Sequence, residues 1–108
     1  KMEISEKELI EKIDNGDNVI VDFWAEFCGP CKVMKPSFDK VSKDYRESGS
    51  NVELYTLNLG KYRDLATKHG IRSVPTIKSF KGGEVFHSTI GLQTESQIKE
   101  LAQNLLDV

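Results

Sequence analysis

The chain has 108 residues, with 15 basic and 17 acidic side chains giving a formal charge of −2, and no basic block or aromatic-basic interleaving of the kind that tracks phosphates, so nucleic acid is not an expected partner. This length fits a single domain over residues 1–108 that buries a core without staples. No stretch approaches the roughly 18 continuous apolar residues of a membrane span, and KMEISEKELI is charged where a signal peptide is apolar; the expectation is a cytoplasmic monomer with no membrane partner.

Lys1 to Ile4 reads as a short edge strand. Ser5-x-x-Glu8 has the capping-box pattern, in which a hydroxyl and a carboxylate each satisfy a backbone N–H, with Ile4 and Leu9 spaced as its hydrophobic staple. Leu9, Ile10 and Ile13 are the expected buried face of this first helix, and Asn15-Gly16-Asp17 ends it. Val19 to Trp24 is β-branched and aromatic and too short for a helix of its own, so it reads as a buried strand, interrupted by one charge, Asp22. Beyond Cys28-Gly29-Pro30-Cys31, the residues Met34, Phe38, Val41 and Tyr45 line one face of a long helix ending near Gly49. Pro36 predicts a kink within this helix rather than a restart, because the apolar face continues through it.

Ser48 to Asn51 is a polar turn, Val52 to Leu59 a strand, and Lys61 to His69 a helix closed by Gly70. This alternation of strand and helix implies parallel pairing with crossover helices. Thr76 to Phe80 and Val85 to Ile90 flank Lys81-Gly82-Gly83-Glu84, whose glycines suit a two-residue antiparallel hairpin. Thr94-x-x-Gln97 caps a last helix with Ile98, Leu101, Ala102 and Leu105 on one face.

The cysteines fall where a strand hands over to a helix. The first turn of a helix has unpaired N–H groups and the positive end of the dipole, which favour a thiolate on Cys28. Three residues of helix separate two Cα atoms by about 5 Å, within the range a disulfide spans. Two cysteines are too few for a secreted framework, and in a βαβ context the pair reads as redox-active. A zinc site needs four ligands, and His69 and His87, 18 positions apart, do not complete one; each reads as a surface residue. Asp22, with Val21 and Phe23 beside it, suggests a strand covered on both faces. A buried, unpaired carboxylate has a raised pKa and could take the proton of Cys31 as a general base; the alternative is an edge-strand charge facing water.

The segment WAEFCGPCK, preceded by Val-Asp-Phe and followed by a proline within the helix, resembles the thioredoxin family. Ile71-Arg72-Ser73-Val74-Pro75-Thr76 is similar to the family's segment before its fourth strand, Phe80 to Glu84 to its hairpin, and Gly91 to the glycine before its last helix. The resemblance implies an α/β thioredoxin fold, with a central mixed sheet of about five strands, the last hairpin antiparallel, flanked by about four helices. It also implies a cis Val74-Pro75 peptide facing the cysteine loop, and a shallow groove formed by Trp24, Phe27, Gly29, Pro30, Ser73, Val74, Pro75, Ile90, Gly91 and Leu92. There, main-chain groups would pair with an extended client.

The implied activity is protein-disulfide reduction by Cys28, Cys31 and Asp22, with no bound cofactor beyond the Cys28–Cys31 disulfide and no metal. The implied partners are an NADPH-dependent flavoprotein, thioredoxin reductase, and disulfide-bearing client proteins. An oxidase or isomerase is the alternative within redox chemistry, against which Gly-Pro between the cysteines argues; a redox-independent binding subunit is the alternative outside it. Three positions depart from the family pattern. Phe27 stands where many bacterial relatives have Trp, and Thr56 where many have a lysine. Gly60 stands where an aspartate can hold the active-site Trp, which leaves the anchor of Trp24 unassigned.

Overall fold

Ser5 starts the first helix as its sequence dictates. In the computed structural model, which describes residues 2–106, the Ser5 hydroxyl accepts from the Glu8 N–H at 3.1 Å and the Glu8 carboxylate from the Ser5 N–H at 3.0 Å. Both leading donors of α1 (Glu6–Asp14) are thereby satisfied. Ile4 and Leu9 bracket the cap, buried in one apolar cluster. Ile10 instead stands at the surface. A nine-residue helix turns one stripe inward, Leu9 and Ile13 fill it, and Ile10 is rotated about 100° from Leu9.

β1 (Asn18–Trp24) leads through the cysteine loop into α2 (Gly29–Glu47), one helix that runs through Pro36. Met34, Phe38 and Val41 are buried along it, so packing anchors the helix on both sides of the proline. β2 (Val52–Asn58) follows. The expected helix over 61–69 is replaced by a 3-10 turn (Leu59–Lys61) and the single turn α3 (Leu65–Lys68). Between them Tyr62 is extended and Asp64 has φ +70, a left-handed conformation that Asp tolerates but a helix interior does not. β3 (Thr76–Lys81) and β4 (Glu84–Ile90) form the hairpin, with Gly82 and Gly83 at φ +61 and +85 as a two-residue turn requires. Thr94 and Gln97 exchange bonds of 2.8 and 3.1 Å to cap α4 (Glu95–Leu106), which buries Ile98, Leu101, Ala102 and Leu105.

The sheet has the order β2-β1-β3-β4, with β1 parallel to β2 and antiparallel to β3, and β3 antiparallel to β4. It holds four strands rather than about five. The N-terminal segment contributes one bridge, Glu3 to Thr56, because Ser5 turns the chain into α1 directly after it; Lys1, the start of the expected edge strand, lies outside the described residues. Side chains alternate across β1. Val19, Val21 and Phe23 join Leu9, Leu57 and Phe80 on one face. Ile20 joins Met34, Phe38, Ile98 and Leu105 on the other, beneath α2 and α4.

Candidate active site

Alternation along β1 points Asp22 to the same face as Ile20, toward α2. Cys28 is the N-cap of α2: its backbone is extended, and its Sγ accepts from the Cys31 N–H at 3.1 Å. Pro30 occupies the first turn, where its missing N–H is not needed. Cys28 and Cys31 are joined in a disulfide with Cα atoms 5.3 Å apart, in keeping with the separation expected from helical geometry. Cys28 is half-buried, whereas Cys31 is buried at 3% exposure. When the pair is reduced, that N–H and the positive end of a 19-residue helix both favour a thiolate on Cys28. Phe27 immediately before has φ +63 and is 94% exposed.

Sheet register brings the remaining rim to this end. Phe23 pairs with Thr76, and Thr76 with Ile90, so β3 starts and β4 ends where β1 enters the cysteine loop. The Val74-Pro75 peptide is cis. The Pro75 carbonyl accepts from the Gly91 N–H at 2.9 Å, and the Thr76 hydroxyl donates to the Ser73 carbonyl at 2.7 Å. Ile90 and Leu92 project into solvent. Ser73, Val74, Pro75, Ile90, Gly91 and Leu92 therefore share the sheet end that holds Trp24, Phe27, Gly29 and Pro30.

β1 is an inner strand, and Asp22 is 2% exposed; it does not face water. Its Oδ1 is buried without a hydrogen-bond partner. Burial, then the charges of Asp39 and Glu3, push its carboxyl up to about 7, with Lys35 of α2 pulling the other way. A positive neighbour thus exists despite Thr56, delivered by a different element. A cavity of about 290 Å³ is lined by Asp22, Cys31, Trp24, Glu3, Thr56 and Lys35, among others.

The anchor of Trp24 is Glu3, which the sequence did not single out. Glu3 Oε1 accepts from the Trp24 indole N–H at 2.9 Å and from the Thr56 hydroxyl at 2.7 Å, and its Oε2 accepts from the Asn58 N–H at 2.7 Å. Gly60 uses its own N–H on the Asn58 side-chain oxygen at 2.9 Å, and a Cβ there would lie 3.2 Å from that oxygen. One signal could have found Glu3: a lone carboxylate between Met2 and Ile4, in a chain whose usual Trp-holding acid is glycine. His69 is half-buried rather than a surface residue, with its ring 5.5 Å from that of Phe23 and 6.1 Å from that of Phe80; burial lowers its pKa. Among the described residues no cluster of His, Cys, Asp and Glu could hold a metal, and no helix is long and apolar enough to cross a membrane.

The thioredoxin family model matches residues 1–104. The chain belongs to the thioredoxin family. It is 34% identical over 102 residues to the thioredoxin of Rickettsia bellii, covering 94% of each chain. To that of Rickettsia felis it is 39% identical over 88 residues, 82% of this chain and 81% of the relative. Among solved structures it is similar to a mutant thioredoxin from Halobacterium salinarum, with a TM-score of 0.80 at 26% identity, covering 99% of this chain and 91% of that one. Chloroplastic thioredoxin z, at 23% identity and a TM-score of 0.83 over 99% and 95% of the two chains, shares the fold. In a thioredoxin-family chain, a Cys-Gly-Pro-Cys pair at disulfide distance performs dithiol–disulfide exchange, which is protein-disulfide reductase activity.

Proposed function

We propose that this thioredoxin-family chain is a general reductase of client-protein disulfides, recycled by an NADPH-dependent thioredoxin reductase. In this reading it acts in the cytoplasm as a monomer of one domain and needs no cofactor besides its own disulfide. The carrying observation is the contrast within the pair: a half-buried Cys28 capping α2, and a buried Cys31 within bonding reach of it.

The Cys28 thiolate attacks a client disulfide; a Cys28–client bond forms, the client S–S bond breaks, and one client thiolate leaves. Asp22, as carboxylate, takes the proton from the Cys31 thiol through the shared cavity. The Cys31 thiolate then attacks Cys28 Sγ, the mixed disulfide breaks, and the second client thiolate leaves with both electrons. The Cys28–Cys31 disulfide remains, to be reduced by two electrons from the flavoprotein. Because the second thiol is already in place, this step is intramolecular and outruns release by outside thiols. An acid near 7 suits proton transfer at neutral pH. The exposed Phe27, Ile90 and Leu92 supply apolar contact in the groove, while Ser73, Val74 and Gly91 offer main-chain groups to an extended client.

The test is the redox equilibrium of the cysteine pair against a glutathione or dithiothreitol series. Reference values are about −270 mV for thioredoxin and about −120 mV for a strong disulfide oxidant. A potential at the reducing end is expected. One at the oxidising end would replace the reductase by an oxidase or isomerase, and no reversible dithiol at all would leave a binding subunit.

A further inference from the structure

We infer that Glu3 is a positioning residue of the exchange site, fixing the Trp24 indole from the N-terminal segment in place of an acid after β2. Three donors from two strands converge on its two oxygens: the Trp24 indole N–H, the Thr56 hydroxyl and the Asn58 N–H. A carboxylate accepts all three, since each of its oxygens has two lone pairs and neither carries a hydrogen. A glutamine would turn an NH₂ toward at least one donor.

The side chain is delivered from a fixed point. On either side of Glu3 the main chain is tied to Thr56, whose carbonyl accepts from the Ile4 N–H at 3.0 Å and whose N–H donates to the Met2 carbonyl at 2.9 Å. At residue 60 a Cβ would lie 3.2 Å from the Asn58 side-chain oxygen, and the Trp24 indole finds its acceptor on the N-terminal segment instead. Trp24 and Glu3 both line the cavity that holds Asp22 and Cys31.

The placement has a second consequence, through charge. The charged groups acting on the Asp22 carboxyl are Glu3 from the N-terminal segment and Lys35 and Asp39 from α2, and Glu26 from the loop, Lys32 of α2 and Lys61 from the 3-10 turn line the same cavity. Glu3 favours the protonated acid, so removing its charge lowers the pH at which Asp22 ionises. Only this effect on exchange rate rests on the reductase reading; the anchoring of Trp24 does not.

The experiment compares the full chain with Glu3→Gln, Glu3→Ala and Thr56→Val. Trp24 is the only tryptophan, so its indole N–H gives one unambiguous proton signal. Exchange of that proton with deuterated water is expected to speed up about tenfold or more in Glu3→Ala, as loss of a charge-assisted bond implies, and by less in Glu3→Gln, whose amide oxygen still accepts from the indole while its NH₂ meets the Asn58 N–H. It should stay near wild type in Thr56→Val, which deletes a different donor. The pH midpoint for release of a mixed disulfide formed with insulin should move down in Glu3→Gln. Unchanged indole exchange in Glu3→Ala with native circular dichroism would overturn the inference. So would an equal increase in Thr56→Val, which would make the effect one of segment docking. Faster indole exchange in Glu3→Ala than in the unmutated chain, where the unmutated chain itself reduces no disulfide, would keep the anchor and refute the reductase.

Discussion

The two faces of β1 are built to different ends. On one, Val19, Val21 and Phe23 are fully buried against Leu9, Leu57 and Phe80, an apolar seam without interruption. On the other, Ile20 packs equally well beneath α2, but the next inward position is Asp22, whose Oδ1 has no partner. The first face holds the sheet to α1 and α3. The second carries an ionisable group under the cysteine loop, at the expense of stability, which is the trade expected where a site needs a perturbed acid.

The contrast is broken most severely from the apolar side. Phe23→Ala should lose about 3–5 kcal/mol, the usual loss for truncating a fully buried phenylalanine, equally at pH 3.5 and pH 8 in urea titrations. Asp22→Asn should act in the opposite direction and with pH. The carboxyl ordinarily titrates near 3.8 and is raised to about 7 in the fold, so between those values the unfolded chain has lost a proton that the folded chain keeps. Stability therefore falls as pH rises through that window, by roughly 4 kcal/mol in all. The Asn variant should match wild type near pH 3.5 and exceed it by up to about that amount at pH 8. A variant less stable at pH 8 would mean Asp22 has a partner. The same substitution should slow release of a mixed disulfide about a hundredfold at neutral pH, the low end for general base catalysis; an unchanged rate would deny Asp22 its proton role.

Smaller effects sharpen the distinction between polar groups on that face. Ser42 of α2 is also buried, but its hydroxyl donates to the Leu54 carbonyl at 2.8 Å. Ser42→Ala should therefore destabilise by about 1 kcal/mol, where Asp22→Asn stabilises. Smallest is Lys35→Gln. Lys35 favours the Asp22 carboxylate, so its removal should raise the titration midpoint of the Asp22 carboxyl carbon, opposite in sign to Glu3→Gln. A fall would mean that the field at Asp22 has other sources.

Features encoded within a few residues were legible in the sequence. Both capping boxes, the Gly82-Gly83 turn and the strand-to-helix seat of the cysteines each depend on neighbours at fixed spacing, and each is present. Asp22 was legible because Val21 and Phe23 flank it. Where pattern competed with packing, it misled: Ile10 is apolar but lies off a stripe that two residues already fill, and the helix expected over 61–69 is cut by a left-handed Asp64. For Glu3 the only signal was a lone carboxylate between two apolar residues in a chain with glycine at residue 60; its partners were hidden, because the donors it satisfies lie 21, 53 and 55 residues away. Lys35 was missed as a neighbour of Asp22 for the same reason, since only the packing of α2 on the sheet brings them together.

The most direct test is to trap the exchange intermediate. Cys31→Ser and Cys28→Ser variants would be incubated with a disulfide-bearing protein such as insulin, and covalent adducts followed by non-reducing electrophoresis and mass spectrometry. Cys31→Ser should accumulate a mixed disulfide through Cys28, because the attacking thiol is present and the one that releases the client is gone; Cys28→Ser should accumulate none. Adducts formed through Cys31 instead would reverse the roles of the two cysteines, and adducts with neither variant would contradict dithiol–disulfide exchange at this site.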